Sequence, residues 1–305
     1  MDYVNNIYEA VYFYNRINYC VNNKVPQLIN LEAIKRLGIN ESIYKAIMRI
    51  LVANNLLDYD GSCFVMTNEH KIKHRYILDK ISKNQNHDYK ELFNKAVNEF
   101  QFFFDNISEL EYEIYSRYNF PITFEIGKEV VKHVNLTNKK VLELGGNSGG
   151  LGTAILTKNE DCLYSVVDTK IPCMIGNEFK EYNNLNITFI EGNVFELMLA
   201  SEVYDYIILM NLLHDFDNIK CLDILRNCTK YCDSNTNFLI IEDILTGEFE
   251  PKEVIKHGLR LSVECRGGKQ RTIEEFESLF SHINYGLEKT IKLDNILTML
   301  VMGSL

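Results

Sequence analysis

Lys140-Val141-Leu142-Glu143-Leu144-Gly145-Gly146-Asn147-Ser148-Gly149-Gly150-Leu151-Gly152 is the stretch that decides the fold. A short β-prone run, Lys140 to Leu144, leads into an octet that holds five of the 16 glycines. Glycines at such a point let the backbone turn tightly and approach a ligand, and the helix that follows aims its first amides at a carboxylate or phosphate. The dinucleotide fingerprint G-x-G-x-x-G is not matched; Glu143, Gly145 and Gly149 spell E-x-G-x-x-x-G instead. An acid directly before the loop would repel a pyrophosphate and suit a cofactor that carries an ammonium group. A second run, Leu163 to Val167, ends in Asp168. That acid stands at about the 20-residue interval at which a carboxylate accepts both hydroxyls of a ribose. The plain alternative is a glycine-rich turn and a strand-end acid that hold no ligand.

Outward from this stretch, strand and helix alternate. Strands are expected at Lys140 to Leu144, Leu163 to Val167, Ile187 to Ile190, Tyr204 to Met210, Asn237 to Glu242, Leu287 to Lys292 and Ile296 to Met302. Helices fall near Gly150 to Lys158, Pro172 to Tyr182, Ile219 to Tyr231, Pro251 to Cys265 and Thr272 to Ile283. This order builds an α/β fold, a seven-stranded parallel sheet with helices on both faces and ligands at the carboxyl ends of its strands. Only Leu293, Asp294 and Asn295 separate the last two strands, so that pair is antiparallel.

Toward the N-terminus the pattern is helical. Asn30 caps a short helix, Leu31 to Leu37; Gly38 ends it, and Asn40 caps a longer one from Glu41 to about Leu57. Ile43, Ala46, Ile47, Ile50, Leu51 and Leu57 mark its buried face, and Asp60-Gly61 sits between two β-prone runs as a hairpin turn. Helix, turn, helix, hairpin is the order of a winged helix. The first helix, Val4 to about Tyr19, carries Tyr8, Tyr12, Phe13, Tyr14 and Tyr19, and either meets a second subunit or packs within the chain. Ser82 to Asp88 reads as a linker; a helical pattern resumes from Tyr89 to Tyr118, with Phe93, Val97, Phe100, Phe103 and Phe104 on one side. The expected domains are 1–88, a winged-helix unit; 89–135, a helical bridge; and 136–305, the sheet domain.

The chain has 305 residues, 46% of them hydrophobic, and a net charge of -10. Residues 1–90 hold 12 Lys+Arg against 9 Asp+Glu, so the remainder carries the whole acidic excess. Neither part suits a protein that coats nucleic acid or an anionic membrane, although Lys45 and Arg49 leave open a DNA-binding role for the winged helix. No run approaches the roughly 18 apolar residues of a membrane span. No basic, then apolar, leader precedes Cys20, so a cytoplasmic location is expected. The eight cysteines form no CxxC pair and read as reduced thiols; Cys228 and Cys232 share a helix face but lack further ligands, so no metal is expected.

These pieces together resemble the S-adenosylmethionine-dependent O-methyltransferases that carry an N-terminal winged-helix dimerisation domain, the group of plant caffeate and bacterial polyketide enzymes. Further motifs carry the resemblance: Gly192-Asn193-Val194-Phe195-Glu196, Asn211-Leu212-Leu213-His214-Asp215-Phe216, Ile241-Glu242-Asp243 and Gly267-Gly268-Lys269-Gln270-Arg271-Thr272. The resemblance implies a seven-stranded Rossmann-like methyltransferase sheet, S-adenosylmethionine as cofactor, a small-molecule acceptor in specialised metabolism and a homodimer through the N-terminal domain. Residue by residue, it implies that Glu143, Gly145 and Gly149 pass the methionine part of the cofactor. Asp168 would bind the ribose, Asn193 and Val194 would border the adenine, and Met210 would make another cofactor contact. His214 takes the place of the catalytic base and Glu242 that of the acid that orients it.

The residue types suit that chemistry. Methyl transfer is an in-line displacement in which positioning supplies much of the rate, and an imidazole with an ordinary pKa of about 6.5 takes a hydroxyl proton near neutrality. The sequence departs from the family pattern at Asn147 for a third Gly, Asn193 for Asp, Phe216 for Trp and Gln270 for a second Glu near the base. Gln270 supplies no charge. His257 is a further candidate for the acceptor pocket, whereas His70, His74, His87, His133 and His282 read as surface or helix-end residues. The alternative function is a relative that binds the cofactor and catalyses hydroxylation, decarboxylation or rearrangement without methyl transfer.

Overall fold

The structure is a computed structural model that describes residues 3–22, 41–83, 89, 107–159, 161–183, 185–255, 257–265 and 267–305. It divides into two compact units, Met1–Phe103 with Leu245–Thr272, and Phe104–Ile244 with Ile273–Leu305. The segment Leu245–Thr272 thus groups with the N-terminal unit, although in sequence it lies between strands of the sheet. This differs from the sequence boundaries 1–88, 89–135 and 136–305, because the helices of that segment pack on the helix at Glu41–Ala53.

In the N-terminal unit α1 (Tyr3–Asn22) packs on α2 (Glu41–Ala53) and α3 (Asn68–Lys83). Phe13, Tyr14 and Ile17 of α1 are buried in this single chain, whereas Tyr8 and Tyr12 are half-buried. Helix α2 buries Ile43, Ala46, Ile47, Ile50 and Leu51, the face read from the sequence. It stops at Ala53, short of Leu57, because Asn55 takes a left-handed φ of 55°. The hairpin follows as β1 (Asp58–Tyr59) and β2 (Phe64–Val65), closed by Asp60 Oδ1, which accepts the N–H groups of Ser62 and Cys63 at 2.9 and 2.8 Å. Phe249, from the inserted segment, lays its ring 5.1 Å from that of Tyr59.

Two histidines read as surface or helix-end groups are buried, His70 and His74. His74 Nε2 lies 3.0 Å from the Leu56 carbonyl and its Nδ1 3.1 Å from Asn15 Nδ2. The expected helix Leu31 to Leu37, residues 84–88 of the expected linker and the aromatic run Phe93 to Phe104 lie outside the described residues.

The second unit is the seven-stranded sheet: β3 (Lys140–Leu144), β4 (Leu163–Asp168), β5 (Ile187–Glu191), β6 (Tyr206–Met210), β7 (Asn237–Asp243), β8 (Tyr285–Lys292) and β9 (Leu297–Ser304). The order is β5-β4-β3-β6-β7-β9-β8. The first five strands pair in parallel, and β9 lies antiparallel to both β7 and β8. The order of connection reverses at β3, with β4 and β5 on one side and β6 and β7 on the other, so the loops after β3, β4 and β6 open at the point where such sheets take ligands. Within the expected helical bridge 89–135 lies α4 (Glu109–Val130), which runs past the expected end at Tyr118, begins at a capping box of Ser108 with Glu111 and packs on α5 (Gly150–Leu156) and α6 (Lys170–Asn183). The expected helix Pro251 to Cys265 is two short pieces in the N-terminal unit, Lys252–Ile255 and Gly258–Glu264.

Candidate functional site

The loop after β3 is held in place from two sides. Gly145 donates its N–H to Val167 O at 2.8 Å, and Asn147 donates its own to Asp168 Oδ2 at 2.8 Å. Gly145, Asn147 and Gly149 take φ values of 67°, 51° and 78°, a run that favours glycine and tolerates asparagine. Asn147, where the family pattern has Gly, therefore keeps the required backbone. At Gly145 an added Cβ would also stand 2.8 Å from Leu212 Cδ1. Gly150 and Gly152 answer to the protein itself: a Cβ on Gly150 would stand 2.3 Å from Phe120 O in α4, and one on Gly152 2.5 Å from the Tyr164 ring.

Asp168, half-buried at the end of β4, accepts two backbone donors, Asn147 N–H on Oδ2 and Thr169 N–H on Oδ1 at 2.7 Å. The Thr169 hydroxyl adds a second, longer bond to Oδ1 at 3.3 Å, and the Tyr112 hydroxyl bonds the same carboxyl. Burial holds its carboxyl above the ordinary range, against the hydrogen bonds from Thr169, Asn147 and Tyr112. Helix α4 covers this corner, a contribution with no signal in the sequence because the partners lie far apart along the chain. Tyr112 Oη lies 2.9 Å from Thr169 Oγ1, and Ser148 Oγ donates to Ser116 O at 2.9 Å.

Glu143 is fully buried beneath the loop. Its Oε2 accepts the Tyr164 hydroxyl at 3.0 Å, and its Oε1 has no hydrogen-bond partner. A Cβ on Gly146 would stand 2.5 Å from the Glu143 carboxyl carbon, so only glycine fits above this acid. Burial pushes its carboxyl up to about 8, with the charge of Asp168 adding to the shift and the Tyr164 bond opposing it.

After β5, Gly192 donates its N–H to Asp168 O at 2.9 Å, which brings the following turn beside that acid. Asn193 is exposed, and its Oδ1 accepts the Phe195 N–H at 2.9 Å; Val194 next to it is half-buried. The Phe195 ring meets that of Phe216 edge to face at 5.1 Å. In the sequence Phe195 is read as part of the Gly192 to Glu196 motif, with no role of its own.

Met210 is buried at the end of β6, and Asn211, with φ 48°, starts the turn that carries the histidine. A single 3-10 turn, Leu213–Asp215, then presents His214. Its Nδ1 lies 2.6 Å from Glu242 Oε2, and its backbone N–H donates to Glu242 Oε1 at 3.3 Å. Glu242 is buried near the end of β7. Because a carboxylate only accepts, Nδ1 carries a hydrogen toward Glu242, and in the neutral ring Nε2 keeps the lone pair. Asp215, not among the sequence candidates, places Oδ1 3.5 Å from Nε2. Burial lowers the pKa of His214, but Glu242, Asp215 and Asp243 together outweigh it and raise the imidazole to about 9. The ordinary value assumed from sequence is therefore corrected upward by the carboxylates around the ring.

The structure brings Glu143, Gly145, Gly149, Asp168, Asn193, Val194, Met210, His214 and Glu242 to the carboxyl edge of one sheet. His257 and Gln270 belong to the N-terminal unit, where Gln270 is buried with its Oε1 3.2 Å from the Cβ position of Gly258. Among the described residues no group of His, Cys, Asp and Glu forms a metal site, and the cysteines are free thiols.

Comparison with known proteins gives the family and the fold. A family model described as an O-methyltransferase domain matches residues 74–286. O-methyltransferase 7 of Dictyostelium discoideum is 22% identical over 89% of this chain and 85% of its own length. The 3-O-methylredipecamine 2-O-methyltransferase IpeOMT3 of Carapichea ipecacuanha is 30% identical over 47% of this chain, a match that spans 40% of that relative's length. Among solved structures, an O-methyltransferase family 2 protein from Planctomyces limnophilus in complex with apigenin superposes with a TM-score of 0.79 at 15% identity, covering 100% of this chain and 97% of that one. Human N-acetylserotonin methyltransferase in complex with SAM gives 0.62 at 16% identity, over 98% and 94%. These likenesses establish the fold.

Proposed function

The chain belongs to the O-methyltransferase domain family, and on that footing we propose that it moves a methyl group from S-adenosylmethionine to a hydroxyl of an aromatic or polyketide-like small molecule, with His214 as general base. The observation that carries the reading is the His214–Glu242 pair, 2.6 Å apart on the same sheet edge as the glycine loop and Asp168.

The residues present fit the cofactor. Asp168 presents at the strand end a carboxylate whose hydroxyl bonds from Thr169 and Tyr112 a ribose would exchange for its own, the left-handed loop at Gly145 to Gly149 leaves its backbone open to a close ligand, and the orphaned Glu143 Oε1 marks a place for positive charge. Phe195 and Phe216 offer aromatic faces beside Asn193 and Val194 for the adenine. S-adenosylmethionine supplies a methyl on a sulfonium, an electrophile that needs no metal. Glu242 fixes the His214 tautomer and stabilises its charged form, as an orienting carboxylate does for other histidine bases. Nε2 takes the acceptor proton as the hydroxyl oxygen turns toward the methyl, and Asp215 steadies the imidazolium that results.

The acceptor class is supported by the names of relatives, among them acetylserotonin O-methyltransferase of Bos taurus and a 2,7-dihydroxy-5-methyl-1-naphthoate 7-O-methyltransferase of Streptomyces carzinostaticus. A homodimer through the N-terminal unit is part of the same reading, supported by its helix and hairpin order. A cytoplasmic location and a role in specialised metabolism accompany it, and no helix among the described residues is long and apolar enough to cross a membrane.

The test is incubation with S-adenosylmethionine and a panel of phenols, naphthols and hydroxyindoles, with S-adenosylhomocysteine and methylated product measured together. Product is expected with at least one class, and His214→Ala should lower turnover at least about tenfold with cofactor affinity held. Tight cofactor binding without product on any hydroxyl would favour a relative that does other chemistry, and full turnover in His214→Ala would remove the base.

A further inference from the structure

We propose that Glu143 is uncharged in the free protein and gives up its proton when the cationic cofactor binds, so that cofactor affinity is coupled to pH through this one carboxyl; the inference rests on the cofactor reading above. Three features of its surroundings support it. The side chain is wholly buried, with Oε1 unpartnered and a single hydrogen bond, from Tyr164, on Oε2. An ionised carboxylate held this way lacks both solvent and a counter-charge, and such a group neutralises instead. Its neighbours across the sheet are Val166 on β4 and Ile208 on β6, both apolar and fully buried. The titratable groups that act on it are Tyr164 and Asp168, neither of which carries positive charge.

The loop makes the connection to the ligand. Gly146 lies so close over the carboxyl that a Cβ there would stand 2.5 Å from its carbon and 2.7 Å from Oε2. The next residue, Asn147, is the one whose N–H is held by Asp168. Positive charge received by this loop therefore acts on Glu143 through one layer of main chain and little water, where an opposite charge favours the ionised form. Burial has already placed the carboxyl at about 8, so a modest downward pull releases its proton near neutral pH. S-adenosylmethionine carries one net positive charge, and ionised Glu143 would neutralise it inside the site.

Calorimetric titration of the full chain with S-adenosylmethionine at pH 7.5, in buffers of different ionisation enthalpy, counts the protons released. About half a proton or more is expected per cofactor bound, with affinity tightening several-fold between pH 6.5 and 8.5. Glu143→Gln should remove both effects. His214→Asn, which removes the other group with a proton to lose, should leave most of the release in place. Should Glu143→Gln fail to fold, infrared difference spectra of the unaltered protein serve instead: the C=O band of a buried protonated acid should disappear when cofactor is added. Measurable binding without proton release, release that persists in Glu143→Gln, or an unchanged acid band would each overturn the proposal. Absence of any binding across the pH range would instead reject the cofactor reading, and this inference with it.

Discussion

Asn147 donates its backbone N–H to Asp168 Oδ2 at 2.8 Å, so the acid at the end of the second strand of the unit also holds the glycine loop of the first. Asp168 thus has two tasks, and two substitutions separate them. Asp168→Asn can keep an acceptor oxygen for Asn147 but loses the charge for ribose hydroxyls; Asp168→Ala loses both. We expect affinity for S-adenosylmethionine to fall about tenfold in the first and further in the second, measured by calorimetry. Equal affinity in Asp168→Ala and the unaltered protein would reject the assignment.

The carboxylates around His214 set a pH dependence. With its pKa raised to about 9, the imidazole is protonated at neutrality in the free protein and becomes a base only as pH rises. Turnover should climb toward pH 9 instead of levelling near 7. Glu242→Gln removes the largest of the charges that oppose burial, so the His214 titration, followed by NMR in the free protein, should move to lower pH. The maximal rate should fall because the tautomer is no longer fixed. A titration that stays in place would mean that Glu242 is not the source of the shift.

Gly150 offers a test of packing against conformation. Its φ is not left-handed, yet a Cβ would stand 2.2 Å from Thr123 Oγ1 and 2.3 Å from the Phe120 carbonyl, which is backbone and cannot step aside. Gly150→Ala should force α4 and α5 apart and lower stability by about 1–3 kcal/mol in chemical denaturation. Gly247→Ala, with nothing within 4 Å, is the control and should stay within about 0.5 kcal/mol. Equal stability of the two variants would refute the close approach.

Much of the sheet was legible because its signals are local. Strand β3 matches the expected Lys140 to Leu144 at both ends, and the loop and Asp168 were found from glycine clustering and interval. His214 and Glu242 were found only through resemblance, since nothing in residues 28 apart announces a 2.6 Å contact. What was not legible depends on distant packing. Tyr112 reaches Thr169 across 57 residues, and Leu245–Thr272 leaves the sheet unit for the N-terminal one despite its position in the chain. Asp215 was in plain view beside His214, but only the 3-10 turn brings its oxygen round to Nε2.

His74 predicts how the N-terminal unit responds to acid. The Leu56 carbonyl can only accept, so Nε2 carries the hydrogen and Nδ1 accepts from Asn15 Nδ2, a neutral ring satisfied on both sides. Burial lowers its pKa to about 4, opposed by the bond to Leu56 and helped by His70. The unfolded chain, with an ordinary value of about 6.5, binds the proton first as pH falls. Stability from this group is therefore complete above about pH 6.5 and is lost between there and about pH 4, to a total of about 3 kcal/mol. Protonation also turns Nδ1 into a donor facing the Asn15 amide, which breaks that bond unless the amide flips. Denaturation of the full chain across pH 4 to 7, followed by a signal from the N-terminal unit, should show this loss, and His74→Gln should flatten it while lowering stability at pH 7. A pH dependence that is the same in the variant would place the acid sensitivity on other groups.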